Sequence, residues 1–246
     1  MTTKIRLYVN HPLGPGQMVL LPPAQAHYLF GVMRLTVGGA VALFNGRDGE
    51  WRARVVEAGR KKGTLRVEAQ TGPLRMPPDL WLFFAPIKKA RTAFIVEKAT
   101  EMGVARICPV QTDFTNAGRF RHDSLQAHAV EAAEQCGGTF VPTVAAPQRL
   151  DRVLDRWPVE RRLMFCDEAL SDHSAGLAAL LPAADRPAAP WAILIGPEGG
   201  FSTVERERLR GLEHVVSVSL GPRILRADTA VVAAMTLWQQ ALGDWR

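Results

Sequence analysis

The chain has 246 residues, of which 47% are hydrophobic, and it carries a formal net charge of +6. A chain of this length and composition can bury a substantial core, in one large domain or in two modest ones. No apolar run approaches 18 residues and the N-terminus lacks the apolar stretch of a signal peptide, so we expect neither a membrane span nor secretion.

The cysteines and histidines indicate a cytoplasmic protein without a metal site. Cys108, Cys136 and Cys166 are odd in number, far apart and never part of a C-x-x-C pair. That usage is typical of buried thiols in a reducing compartment. The six histidines show no close pairing suited to a metal ion. We therefore expect a cytoplasmic location and no metal.

The first part of the chain, residues 1–72, is predicted to form a small β-barrel. Its short β-rich runs are separated by Gly, Pro and Asn, and one helix-like segment at 24–35 interrupts them. Segment 44–50, Phe-Asn-Gly-Arg-Asp-Gly-Glu, is typical of a hairpin connection. A linker is predicted at 73–79. The predicted strands lie at 4–9, 17–21, 40–44, 50–57 and 63–69.

The same 72 residues hold the whole excess of positive charge, with ten Lys and Arg against four Asp and Glu. A basic module beside a neutral one is what binding to a phosphate backbone requires. A solvated basic face explains a bare charge count about equally well, but the asymmetry between the two parts favours nucleic acid. Arg52 and Arg54 alternate with apolar residues and should share one strand face. The candidate RNA-binding residues are Arg6, Arg34, Arg47, Arg52, Arg54, Lys61 and Lys62.

From Leu80 onward the pattern changes to alternating strands and helices. The alternation predicts a mainly parallel sheet covered by helices, in a second domain at 80–246. The last helix carries an apolar stripe at i, i+4, i+7 and i+11, beginning at Val231. The predicted strands are 80–85, 106–110, 162–166, 191–195 and 215–220, and the other predicted helices are 91–103, 124–137 and one near 175–181.

Two glycine-proline loops follow the last two predicted strands. They are 195–201, Ile-Gly-Pro-Glu-Gly-Gly-Phe, and 220–230, Leu-Gly-Pro-Arg-Ile-Leu-Arg-Ala-Asp-Thr-Ala. Neither fits the dinucleotide pattern G-x-G-x-x-G or the P-loop pattern. Both stand at the carboxyl ends of strands, where open α/β sheets bind ligands. One such loop alone is most often a tight turn, but two on successive units predict a small-molecule site.

Charged side chains in these loops are the candidate functional groups. Arg223 and Arg226 lie where a phosphate, a carboxylate or a partner acid would hold them, with a surface salt bridge as the alternative. Glu198 could contact a ligand or favour the start of the next helix through its dipole. Asp228 is predicted to be the N-cap of the last helix, and 202–205 a capping box.

These motifs resemble the ribosomal RNA small-subunit methyltransferase E family, within the knotted SPOUT class of RNA methyltransferases. Besides the two loops, the resemblance rests on 97–104, Glu-Lys-Ala-Thr-Glu-Met-Gly-Val, on 131–136, Glu-Ala-Ala-Glu-Gln-Cys, and on His27, 32–34 and 43–44. Three positions depart from the family pattern. Gly138 and Phe114 stand where relatives usually have Arg, and Asp228 where they usually have Glu.

The resemblance implies a fold, a reaction and partners. The implied α/β fold has an N-terminal PUA-like β-barrel and a C-terminal SPOUT α/β domain with a deep trefoil knot. The knot and the S-adenosylmethionine site would lie within about 162–230. The implied reaction transfers a methyl group from S-adenosylmethionine to N3 of a specific uridine in 16S rRNA. The implied partners are small-subunit rRNA or an assembled 30S particle, and a second copy of the chain in a homodimer.

The loops would form the donor pocket, and their charged residues would handle the uracil. Arg226 is the first candidate for stabilising the uracil anion, Arg223 the second, and Glu198 the candidate base. A SPOUT-class ribose 2′-O-methyltransferase and a non-catalytic RNA-binding protein with this fold remain as alternatives. The expected cofactor-binding residues are Leu194, Ile195, Gly196, Pro197, Gly199, Gly200, Leu220, Gly221, Ile224 and Leu225.

Overall fold

The structure is a computed structural model that describes residues 5–116, 121–170 and 189–245. These residues fall into two compact units. The first combines the chain up to Met76 with Ala133–Val141, and the second combines Pro77–Ala132 with the chain from Pro142 onward. The helix predicted near 175–181 lies outside the described residues. No helix in the described part of the chain is long and apolar enough to cross a membrane.

The first unit is built on a five-stranded sheet with the order β1-β3-β4-β5-β2. Only the β1–β3 pair is parallel. The helix predicted at 24–35 is present but shorter: α1 (Pro23–Ala26) continues into a π-helical turn, His27–Val32. It cannot extend further because Arg34 has a left-handed backbone, with φ 56°. The strands are β1 (Arg6–Tyr8), β2 (Met18–Leu21), β3 (Ala40–Phe44), β4 (Glu50–Ala58) and β5 (Gly63–Gly72).

Strand alternation in β4 separates a core face from a charged face. Ala53 and Val55 are buried in the core of the unit, together with residues of β3 and β5. Arg52 and Arg54 are exposed on the opposite face, as predicted. The hairpin connection predicted at 44–50 is also confirmed, because β3 and β4 pair antiparallel across it.

The second unit contains a seven-stranded sheet. Six strands follow the order β12-β10-β11-β6-β7-β8, and β9 pairs with β7 beside this path. Every pairing in it is parallel, which confirms the sheet predicted from the alternating pattern. The strands are β6 (Leu80–Phe84), β7 (Arg106–Gln111), β8 (Thr143–Val144), β9 (Gln148–Arg149), β10 (Arg162–Cys166), β11 (Trp191–Ile195) and β12 (Val215–Val218).

Helices pack against this sheet and bury its strands. Leu154 of α4 and Leu209 of α5 pack with strand residues Phe83, Phe165 and Leu194 in one core cluster. α2 and α6 pack against each other, and α6 also packs on β11. The helices are α2 (Lys89–Glu101), α3 (His122–Cys136), α4 (Leu150–Asp155), α5 (Thr203–Arg210) and α6 (Ala227–Leu242), with a short 3-10 turn at Glu168–Leu170.

Two expectations about helix starts have different outcomes. The capping box at 202–205 is confirmed, with Ser202 and Glu205 bonding each other's backbone N–H. The N-cap prediction for Asp228 is wrong, because α6 begins two residues earlier with Arg226 as its N-cap. Asp228 lies in the first turn, where its carboxylate interacts favourably with the positive end of the helix dipole.

Among the cysteines, Cys108 and Cys166 are buried as expected, but Cys136 is exposed.

Candidate functional site

Three neighbouring strands of the second unit end at one pocket. The segments that follow β10, β11 and β12 line it, because the carboxyl ends of parallel strands meet at the same edge of a sheet. The space between its atoms is about 590 Å³, part of it open to solvent. The pocket therefore lies at the strand edge where the sequence predicts a ligand.

Eight of the ten residues predicted to bind the cofactor line this pocket. Leu194 does not, because strand alternation points its side chain into the core cluster between sheet and helices. Gly199 does not line it either. Its Cα faces Phe114 instead: a Cβ added to Gly199 would lie 3.1 Å from the Cβ of Phe114. The lining residues are Ile195, Gly196, Pro197, Gly200, Leu220, Gly221, Ile224 and Leu225.

Two glycines of the loops have left-handed backbones but different surroundings. Gly200 has φ 68°, and a Cβ there would lie 2.0 Å from a carboxylate oxygen of Glu168. Gly221 has φ 109°, with nothing within 4 Å of the same position. Gly200 thus permits both the turn and the close approach of an acidic side chain, whereas Gly221 permits the turn and leaves the space beside it open.

Alanine at each glycine separates these two roles. We expect Gly221→Ala to lower the free energy of unfolding by about 1–3 kcal/mol through backbone strain alone. Gly200→Ala should cost more, because the Cβ must also displace Glu168. Urea unfolding of both variants measures the difference. Equal losses would contradict a close contact between Gly200 and Glu168.

An ion-pair network beneath the pocket was missed from the sequence. Asp167 has a fully buried side chain and pairs with Arg206, at 3.2 Å, and with Arg210. Glu168 also pairs with Arg206 and accepts a hydrogen bond from the Phe201 N–H at 3.3 Å. Both acids line the pocket. Their position directly after the apolar run 162–166 was the available signal, because it places them at the same strand edge as the loops.

Burial and charge shift the pKa of two groups here. Burial raises the pKa of the Cys166 thiol, and the charge of Asp167 raises it further, so the thiol stays protonated at neutral pH. Burial works to lower the pKa of Arg206, but the hydrogen bond to Glu168 and the charges of both carboxylates outweigh it and raise the pKa. Arg206 therefore stays positively charged at the α5 side of the pocket.

The predicted catalytic groups lie at the pocket or at its edge. Glu198 and Arg223 line it, whereas Arg226, the N-cap residue of α6, does not. Arg91 of α2 lies 3.7 Å from Glu198 and 3.7 Å from Asp228, so it joins the two loops. Sequence reasoning missed Arg91, although its place just after β6 puts it at the same edge of the sheet.

The basic residues of the first unit differ in how exposed they are and in whether an acid pairs with them. Arg6 is held inside the unit: it pairs with Glu50 at 2.8 Å, donates to the carbonyls of Ala133, Glu134 and Gly138, and lies over the ring of Phe44. These contacts leave only 14% of its side chain exposed.

The other predicted RNA-binding residues are on the surface. Arg52 and Arg54 share Glu68 at 3.1 and 2.6 Å, and Lys62 pairs with Glu57 at 2.9 Å. Hydrogen bonding to Glu68 raises the pKa of Arg54, and the bond from Arg54 lowers that of Glu68. Of the predicted RNA-binding residues, three are exposed and have no carboxylate within 4.0 Å in the described part of the chain: Arg34, Arg47 and Lys61.

Comparison with known proteins identifies two family models in the chain. The RNA methyltransferase domain matches residues 75–239, and the RNA methyltransferase PUA domain matches residues 21–68. Curated relatives with the name ribosomal RNA small subunit methyltransferase E include that of Synechocystis, 31% identical over 88% of this chain and 71% of its own length. That of Rickettsia conorii is 28% identical over 94% of this chain and 93% of its own length.

Solved structures with the same fold include two with a bound ligand. The ribosomal RNA small subunit methyltransferase E of Neisseria gonorrhoeae, bound to S-adenosylmethionine, is 26% identical with a TM-score of 0.84 and covers 98% of this chain and 99% of its own. A methyltransferase of Legionella pneumophila, also with S-adenosylmethionine, is 29% identical with a TM-score of 0.81 and covers 98% of both chains.

Proposed function

This chain belongs to the ribosomal RNA small subunit methyltransferase E family, and we propose that it methylates N3 of a uridine in 16S rRNA with S-adenosylmethionine as donor. The pocket at the ends of β10, β11 and β12 is the observation that supports the proposal most directly. Two structural neighbours bind S-adenosylmethionine. The family models and the relatives' names support rRNA as the acceptor.

The residues of the pocket suit this donor. Apolar side chains, including Ile195, Leu220 and Leu225, can cover the adenine ring. Gly221 leaves open space beside the chain, and a ligand can approach its backbone closely.

S-adenosylmethionine supplies an electrophilic methyl group. A neutral uracil holds a proton on N3, so this nitrogen attacks only as the proton leaves. In the proposed mechanism Glu198 accepts the proton, and the cation of Arg223 or Arg226 stabilises the negative charge on the ring oxygens. Neither arginine acts as the base, since a guanidinium keeps its proton.

The remaining parts of the proposal follow the family. We propose that the first unit is a closed PUA-like barrel that binds RNA, and that the second contains the trefoil knot. A homodimer in the cytoplasm would act on small-subunit rRNA or on the assembled 30S particle. An apolar stripe on α6 is compatible with a dimer interface, and its buried residues also serve the core of the unit.

Methyl transfer from labelled donor tests the function. We expect transfer to small-subunit RNA, compared as naked 16S rRNA and as 30S particles, with the label on N3 of one uridine by mass spectrometry. Label on a ribose would instead identify a 2′-O-methyltransferase. Absence of donor binding in calorimetry would identify a non-catalytic RNA-binding protein.

Charge reversal in the first unit tests its assignment to RNA. We expect Arg52→Glu with Arg54→Glu to weaken RNA binding and to flatten its salt dependence, because fewer counterions are released. Donor affinity should stay at the wild-type value. Filter binding over a salt series measures the first effect, and calorimetry measures the second.

The ion pairs with Glu68 provide the matched control. Glu68→Gln leaves both arginines in place and frees them from their partner, so RNA binding should stay equal or become tighter. A loss of binding in Glu68→Gln as large as in the double reversal would mean that the salt bridges support the sheet rather than that the arginines contact RNA.

A further inference from the structure

A second pocket lies in the methyltransferase unit, away from the donor pocket. It opens beside β6, β7 and α4, and the two pockets share no lining residue. Trp81 of β6 and Arg106 of β7 are cross-strand partners in its wall, near the amino-terminal ends of their strands. We call it the arginine groove. The residues that matter for its chemistry are Trp81, Phe83, Arg106, Arg152, Arg156 and Trp157.

The arginine groove carries positive charge and has no carboxylate among its lining residues. Arg106, Arg152 and Arg156 line it, and none of its lining residues is Asp or Glu. None of the three has a carboxylate within 4.0 Å among the residues that the structure describes. An anion is therefore the complementary ligand.

The acids of α4 are engaged elsewhere. Asp151 pairs with Arg149 at 2.9 Å, and Asp155 pairs with Arg208 at 2.6 Å. Arg152 and Arg156, four residues apart, share another side of the helix and are exposed. Arg152 and Arg156 therefore remain at the groove without an ion-pair partner in the described part of the chain.

The floor of the groove adds a third guanidinium and no negative charge. Arg106 lies over the indole of Trp81, 4.8 Å from the ring centre, and its Nε is buried without a hydrogen-bond partner in the described structure. Burial raises the pKa of the neighbouring Cys108 thiol to about 12, so it is neutral at physiological pH. Arg161 also packs on Trp81, but Asp79 neutralises it at 2.9 Å.

Aromatic side chains give the groove an apolar wall. Phe83 and Trp157 have ring centres 5.3 Å apart, and Trp157 stacks on His214 at 5.6 Å. Phe83 is buried, whereas Trp157 is half-buried. Arginines combined with aromatic and apolar surface are the combination that binds single-stranded nucleic acid, through phosphates and bases together. An inorganic anion would need only the arginines.

We propose that the arginine groove binds a single-stranded segment of the acceptor RNA, outside the donor pocket. Phosphates lie against Arg152 and Arg156, and a base or ribose packs against Trp157, the half-buried ring of the wall. The inference rests on the proposed function in that the acceptor is RNA. The segment bound here is not the methylated nucleotide, since the groove and the donor pocket have no residue in common.

Single substitutions of exposed arginines test the groove. We expect Arg152→Ala and Arg156→Ala each to weaken binding of 16S rRNA and of a short single-stranded oligoribonucleotide several-fold. Each should reduce the slope of log K against log salt by about 0.7, the value for one lost phosphate contact on a single strand. KM for RNA should rise while kcat at saturating RNA stays unchanged, because the groove does not touch the reacting atoms.

Lys98→Ala is the matched control, since it also removes one positive charge from the same unit. Lys98 pairs with Glu101 at 2.7 Å and belongs to α2, outside the groove. It should leave both affinity and slope unchanged. Wild-type RNA binding in both arginine variants, or an equal loss in Lys98→Ala, would overturn the proposal.

Further readouts distinguish this proposal from the proposed function. If the groove assignment is wrong, the wild-type protein still methylates RNA and the arginine variants bind it normally. If the function is wrong, the wild type transfers no methyl group, yet the arginine variants still lose oligoribonucleotide binding. Loss of 30S binding with unchanged naked-RNA binding would assign the groove to an acidic ribosomal protein and overturn the RNA contact.

Discussion

Replacing Arg223 by alanine is expected to lower kcat for methyl transfer by about 10²–10³-fold, the usual effect of removing one group that stabilises a developing anion. Arg223 lines the pocket that we propose for the donor, and it is exposed. It has no carboxylate within 4.0 Å in the described ranges, so no ion pair occupies its guanidinium. Single-turnover methylation at saturating RNA and donor measures the effect, and calorimetry should show nearly unchanged donor affinity.

Arg226→Ala provides the comparison, because Arg226 is the second arginine of the same loop, three residues after Arg223. Arg226 caps α6 and does not line the pocket, so the geometry favours Arg223, whereas the sequence motif placed Arg226 first. A large loss in Arg226→Ala with none in Arg223→Ala would reverse that order. Full activity in both variants would mean that neither Arg223 nor Arg226 stabilises the uracil anion.

Arg223→Lys sharpens the comparison. A lysine keeps the charge but not the planar fork of donors, so partial activity indicates electrostatic stabilisation and no activity indicates bidentate hydrogen bonding.

The position of the site was predictable from the sequence, because it depends on local patterns. Apolar runs followed by glycine-proline loops fix strands and loops, and parallel strands bring their carboxyl ends together. Eight of the ten predicted pocket residues follow from this rule alone. Leu194 does not line the pocket, since period-two alternation places its side chain on the opposite face from Ile195's.

The remaining features depend on contacts between distant parts of the chain. Arg6 looked like a free basic residue, but its guanidinium bonds to carbonyls 127 to 132 residues away. Residues Ala133–Val141 return to the first unit, and no local pattern indicates this. Asp167 and Arg210 are 43 residues apart, and only the parallel strand order brings them together. Hydrophobic periodicity gives elements and faces but not such pairings.

Removing both arginines from the network beneath the pocket is expected to cost more stability than removing the acid. In Arg206→Ala with Arg210→Ala, the fully buried Asp167 loses both cations, and an uncompensated buried charge costs about 3–5 kcal/mol of unfolding free energy. In Asp167→Asn, the two arginines are 24% and 44% exposed and can turn to water, so the cost should be about 1–3 kcal/mol. Urea unfolding measures both.

Two further variants decide whether the buried charge is the cause. Arg208→Ala, on the same helix, removes an exposed ion pair with Asp155 and a long hydrogen bond to the Asp151 carbonyl, and it should cost no more than about 1 kcal/mol. The triple variant Asp167→Asn with Arg206→Ala and Arg210→Ala leaves no buried charge, so it should be more stable than the double arginine variant. A triple variant less stable than the double would contradict this account and would mean that the arginines stabilise α5 through packing. Donor affinity should fall in all variants that lack Arg206, because Glu168 then loses the partner that holds it beside Gly200.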